Sequence, residues 1–72
     1  MGVFQGMIRV NGEGAPLTAV TLDALLAQHG VAADGRGVAV AVNGQVVRRD
    51  AWQKTKLAAG DDVEIVRVRQ GG

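Results

Sequence analysis

The chain has no cysteine, no tyrosine, one histidine, one proline and two aromatic residues, Phe4 and Trp52, among its 72 positions. Without cysteine it can form no disulfide, zinc ribbon, iron–sulfur site or thiol nucleophile. That absence fits a cytoplasmic protein, which is the location expected. Charge of one sign is also lacking: eight Lys and Arg against seven Asp and Glu leave +1. This balance argues for neither a nucleic-acid nor a membrane partner. Single-strand RNA readers combine a basic groove with stacking aromatics, and two aromatics are too few. No apolar run reaches the length of a membrane span or a signal-peptide core. There is no Gly-rich phosphate loop ending in Lys-Ser or Lys-Thr, and no carboxylate dyad for acid–base work. Gly35 and Gly37 around Arg36 imitate a phosphate loop only superficially, since no helix follows.

What is present is a high apolar fraction, 47%, enough for a core rather than disorder. A chain of this size forms one small domain that buries about 60% of the surface its unfolded form exposes. Residues 1–6 carry Phe4-Gln5-Gly6, which resembles the end left at a protease-cleaved purification tag; a short natural extension or a misplaced start codon is the other reading. No function is assigned to them. The domain proper is expected over 7–69, with residues 70–72 as a flexible tail.

Met7-Ile8-Arg9-Val10-Asn11 alternates as a strand, with Ile8 and Val10 on one face. Asn11-Gly12-Glu13-Gly14 favours positive φ and predicts a hairpin connection, so that Ala15 to Ala19 returns with Leu17 inward and Pro16 at an edge. Thr21 is placed to cap a helix, Asp23 suits its positive end, and Val20 could staple against Leu25. Leu22, Leu25, Leu26 and His29 share the spacing of one buried stripe, and Gly30 stops the helix. Residues 33–37 read as a loop. Val38–Val42 is a third strand, Asn43-Gly44 the strongest hairpin signal, and Gln45–Val47 its return. Arg48 to Trp52 predicts an irregular turn or one helical turn, with Trp52 anchored against the sheet edge. Leu57 to Asp62 turns tightly into a last strand beginning at Val63. The order ββ, helix, ββ, β allows the first and last strands to pair in parallel under the helix. The expected fold is α+β: a ubiquitin-like β-grasp with a mixed sheet of four to five strands and one main helix.

The last ten residues, Val63 to Gly72, organise this reading. A β-branched strand ends in Gly71-Gly72, which add nothing to a strand because glycine loses the most backbone entropy on ordering. They do provide a thin thread that can enter a narrow channel, carrying the terminal carboxylate of Gly72 as its reactive group. In the strand, Val63 and Ile65 point to one face and Glu64, Val66 and Val68 to the other. One short helix cannot cover both faces. Val66 and Val68 are therefore expected on exposed apolar surface beside the tail, a candidate partner site. Arg48, Arg49, Arg67 and Arg69 either form an ordinary solvated face or steer a partner. His29 lacks convergent acids at ligand spacing, so it is expected to interact with the helix dipole or to pack halfway, without a metal.

Several stretches together resemble the ThiS-type sulfur carriers of thiamine biosynthesis: Met7 to Glu13, Val42 to Trp52, Gly60 to Ile65 and the closing Gly71-Gly72. The resemblance covers nearly all of 7–72. It departs at Arg69-Gln70, where the family often has apolar residues. The resemblance implies a carrier that is a co-substrate and not an enzyme. A ThiF/MoeB-like adenylating partner would bind the ATP, leaving no cofactor on this chain. That partner would activate the Gly72 carboxylate as an acyl adenylate. A persulfide donor would replace AMP, and the resulting thiocarboxylate would deliver sulfur to a ThiG-like thiazole synthase. Gly71 and Gln70 would form the tail, and Val66, Arg67, Val68 and Arg69 would dock the partners. A carrier serving molybdopterin, tRNA thiolation or a natural product remains open, as do a lysine-linked protein modifier and a binding module with an incidental tail. A carrier that visits two partners is expected to be a monomer alone.

Overall fold

A computed structural model describes residues 6–32 and 34–68. The readings made on Met1 to Gln5, on Ala33 and on the tail residues Arg69, Gln70, Gly71 and Gly72 lie outside the described residues.

Two hairpins build the sheet. Strands β1 (Met7–Val10) and β2 (Glu13–Pro16) are joined through Asn11-Gly12, and β3 (Val38–Val42) and β4 (Gln45–Val47) through Asn43-Gly44. In each turn the asparagine sits at φ 53° and the glycine just beyond 80°, the paired positive φ that a two-residue hairpin needs to match strand twist. The first turn closes two residues earlier than expected. The returning strand therefore starts at Glu13 and stops at Pro16, with Leu17 half-buried and Ala19 buried behind it. Pro16 ends an edge strand, where its missing N–H costs nothing.

The last strand, β5 (Asp62–Arg67), lies in the middle of the order β2-β1-β5-β3-β4. It runs parallel to β1 through Arg9↔Asp62 and Val10↔Val63, and antiparallel to β3 from Val42↔Val63 to Val38↔Arg67. Helix α1 (Leu22–Gln28) supplies the crossover between the hairpins, and a 3-10 helix (Arg49–Lys54) links β4 to β5. This is the β-grasp arrangement expected from the sequence, with five strands.

The core is a consequence of register. Residues opposite one another share a face, so Ile8 with Ala15, Val10 with Val63 and Val42, and Ile65 with Val40 and Val47 form rows on one side. Leu22, Leu25 and Leu26 of α1 close over those rows, and Val63 and Leu22 are fully buried. Trp52 packs into the same cluster while its indole N–H donates to Val47 O at 3.0 Å, tying the 3-10 helix to edge strand β4.

The helix ends depart from expectation. Thr21 occupies the N-cap position with extended backbone, but its hydroxyl donates to the Asp23 carboxylate and accepts no backbone N–H of the helix. Val20 is 70% exposed and forms no staple, because the segment before the helix is drawn to Leu57, whose N–H donates to Val20 O at 2.9 Å. His29 is the C-cap and exposed, so the buried stripe ends at Leu26. The turn that would carry it inward has already been unwound by Gly30 at φ 79°.

Candidate functional site

Alternation along β5 decides what the helix leaves bare. With Val63 and Ile65 turned to α1, Glu64 and Val66 face away, joined in register by Ala39 opposite Val66, Ala41 opposite Glu64 and Val46 opposite Ala41. Val46 is 75% exposed, Val66 56% and Val68 53%. Met7, on the same side of β1, is exposed as well. Two alanines between valines leave a trough, and Ala39, Ala41, Val46, Glu64 and Val66 line a shallow hollow of about 120 Å³. Contiguous apolar surface of this kind is what protein partners cover. Glu64 is the one charged residue lining the hollow.

Val46, Ala39 and Ala41 were not singled out in the sequence, although a signal existed. A two-residue turn at Asn43-Gly44 forces Ala41 opposite Val46, and pairing β3 with β5 then brings both beside Glu64 and Val66.

Arg67 belongs to the other side of β5. It follows Val63 and Ile65 toward the helix, and its Nη2 donates to His29 O at 2.8 Å. The next residue, Val68, donates its N–H to Gly37 O at 2.6 Å. The structure thus brings Val66 and Val68 together on the bare face and places Arg67 at the helix C-terminus. The other two described arginines of the expected patch also have partners within the chain. Arg48 stands 4.0 Å from Asp50 in a solvated pair of little energetic weight. Arg49 donates to Asp34 O.

A second hollow, about 240 Å³, lies on the helix side between α1 and the 3-10 helix, floored by Leu26, Val31 and Trp52 and edged by Asp23 and Arg49. Among the described residues no cluster of His, Asp and Glu could hold a metal ion. No helix there is long and apolar enough to cross a membrane.

A five-stranded sheet crossed by one main helix, with its parallel central pair made by the first and last strands, defines a ubiquitin-like β-grasp domain. The comparisons with known proteins agree. The family model described as ThiS family matches residues 7–72. A crystal structure of the thiamine biosynthesis protein ThiS from Geobacter metallireducens is similar at 30% identity and a TM-score of 0.75, over 92% of this chain and 99% of that one. An NMR solution structure of a thiamine biosynthesis protein from the same organism is similar at 30% identity and a TM-score of 0.74, over 92% of this chain and 87% of that one. A comparison with curated proteins finds no match. The chain belongs to the ThiS family.

Proposed function

We propose that this chain is a cytoplasmic sulfur carrier of thiamine biosynthesis and that its working group is the carboxylate of Gly72. The observation that carries the reading is the family match, which runs from Met7 through Gly71-Gly72 and so includes the thread as well as the domain. A carboxylate is a poor electrophile, because attack on it would have to expel oxide. Condensation with ATP releases pyrophosphate and leaves an acyl adenylate, whose AMP departs readily. A partner's persulfide then attacks the acyl carbon through its outer sulfur and expels AMP. A thiol cleaves the resulting acyl disulfide, freeing the thiocarboxylate and leaving the partner's sulfur in a new disulfide. The thiocarboxylate donates its sulfur to thiazole synthase.

The chain acts as co-substrate in these steps. The adenylating enzyme holds ATP, and the bare face around Val66, Val68 and Val46 docks it while Gln70, Gly71 and Gly72 reach its active site. Thiazole synthase takes the same presented end. One valine-rich face beside one thread suits partners that are visited in turn.

The test is the intact mass of the protein before and after incubation with ATP, its adenylating enzyme and a persulfide source. The expected result is a gain equal to exchanging one oxygen for one sulfur, located at Gly72 and lost when Gly72 is deleted. Lysine-linked conjugates without that gain would favour a protein modifier. A mass that never changes would overturn the carrier reading.

A further inference from the structure

Glu64 occupies a central place on the bare face. β5 is the middle strand of the sheet, so Glu64 has Ala41 and then Val46 on one side and β1 on the other. Among the strand-paired residues only one cation shares this side, Arg9, and it stands opposite Asp62. Among the described residues the single ion pair is that of Arg48 with Asp50, so the Glu64 carboxylate has none. The residue is exposed, and the other residues that line the hollow with it are Ala39, Val40, Ala41, Val46 and Val66, all apolar.

In the free chain water solvates this carboxylate. A partner that covers Val46 and Val66 covers Glu64 with them, because Ala41 links Glu64 to Val46 across β3 and Val66 is the next residue of β5 on that side. Taking a carboxylate out of water without a counter-charge costs more than a covered valine returns. Tight docking here therefore needs a surface that answers the charge. At about 120 Å³ the hollow is below the size of a small-molecule pocket and suits a single side chain. Lys and Arg have the matching form: an apolar stem that lies on alanine and valine, and a charged head that reaches the carboxylate.

We infer that Glu64 selects the partner: the surface that covers this hollow presents a basic side chain, flanked by aliphatic ones, whose cation pairs with the Glu64 carboxylate. This rests on the carrier reading, in which that surface belongs to the adenylating enzyme, and it adds the chemistry that enzyme must present. The same carboxylate disfavours an acidic surface of equal shape, since like charges repel strongly once water is excluded. The valines supply contact area, and Glu64 supplies discrimination.

The experiment measures binding of the intact chain to the adenylating enzyme of its own organism by calorimetry, without ATP. Wild type is compared with Glu64→Gln, Glu64→Met and Glu64→Lys. Because Glu64 is exposed, all three should melt near wild type, which separates affinity from folding. Glu64→Gln and Glu64→Met are expected to weaken Kd at least about tenfold, because each leaves the partner's cation covered and unpaired. Glu64→Lys adds like-charge repulsion and is expected to weaken it at least about a hundredfold. A Glu64→Met chain that binds as tightly as wild type, or tighter, would overturn the inference, since apolar surface alone would then answer the face. Wild-type affinity in Glu64→Lys would overturn it too. Val46→Asp keeps the two readings apart. If Val46→Asp weakens binding while Glu64→Gln and Glu64→Met do not, the face docks the enzyme and only the inference about its charge fails. If Val46→Asp binds like wild type, or wild type does not bind at all, the docking reading falls and this inference falls with it.

Discussion

Asn11 and Ile65, 54 positions apart, are joined by a 2.7 Å hydrogen bond in which the Ile65 N–H donates to the Asn11 side-chain oxygen. The parallel ladder reaches Asn11 through its own N–H, which donates to Val63 O at 2.8 Å. The next rung would use the Asn11 carbonyl, but that residue has turned to φ 53° to begin the hairpin. Its side chain replaces the lost acceptor. One residue thus both starts the first turn and completes the pairing of the last strand.

Asn11→Ala should therefore lose two things. The half-buried Ile65 N–H loses its partner, at about 1–2 kcal/mol, and alanine at positive φ adds about 1 kcal/mol. For a domain of this size the melting temperature should fall by about 10 °C or more. Asn11→Gly removes only the bond and should fall between. Asn11→Asp keeps both acceptor and turn and should melt near wild type. Equal melting of the glycine and aspartate variants would remove the side-chain acceptor from this account.

The second hairpin asparagine grips the same strand from its other side. Asn43 accepts from Asp62 N–H at 2.9 Å and donates to Asp61 Oδ1 at 3.0 Å, and Asp61 Oδ2 accepts from Ala58 N–H at 2.8 Å. The side-chain pair is exposed, so its share is small. A double-mutant cycle with Asn43→Ala and Asp61→Ala should give a coupling of about 0.5 kcal/mol in urea unfolding. Strict additivity would mean that each residue acts through the backbone alone.

Gly35 lies against the ring of Trp52. A Cβ built there would sit 2.9 Å from two ring carbons and 2.7 Å from Arg49 Cδ, at φ 64°. The arginine stem can swing aside, but Trp52 is 5% exposed and cannot. Gly35→Ala should cost about 2–3 kcal/mol from strain and overpacking together. Emission from this single tryptophan reports the unfolding midpoint directly. A midpoint unchanged in urea would show that the loop yields without disturbing the ring.

Much of this arrangement could be read from the chain because it is set locally. Asn43-Gly44 dictates its own turn, and the alternation Val63-Glu64-Ile65-Val66 separates a buried face from a bare one with no knowledge of neighbours. The errors fall where distant partners decide. Glu13-Gly14 has little strand propensity of its own and becomes strand because β1 offers it an edge. Val20 has the pattern of a staple, yet its backbone is committed to Leu57. His29 is the exception, a local error: it continues a helical stripe on paper and is released by the glycine after it. At the site, the valines of the bare face follow from parity, whereas the seat of Arg67 on His29 has no local signature. Spacing along a strand names the side a residue faces and not the atom it meets.

The same parity separates buried from exposed valines across the sheet. Val63 is fully buried, so Val63→Asp would place a carboxylate in the core without a partner and should not fold. Val66, 56% exposed, and Val46, 75% exposed, already meet water. Val66→Asp and Val46→Asp should melt within about 3 °C of wild type, as surface changes do. Their cost should appear only when a partner covers the face. Burying a valine there gains on the order of 1 kcal/mol, and desolvating a carboxylate in its place adds a penalty beyond that loss. In the proposed carrier role, the KM of either variant with an adenylating enzyme should therefore rise at least about tenfold, equivalent to 1.4 kcal/mol, with kcat held. Folded Val66→Asp and Val46→Asp proteins that keep the wild-type KM would mean that the partner docks elsewhere and that the valine face serves another purpose.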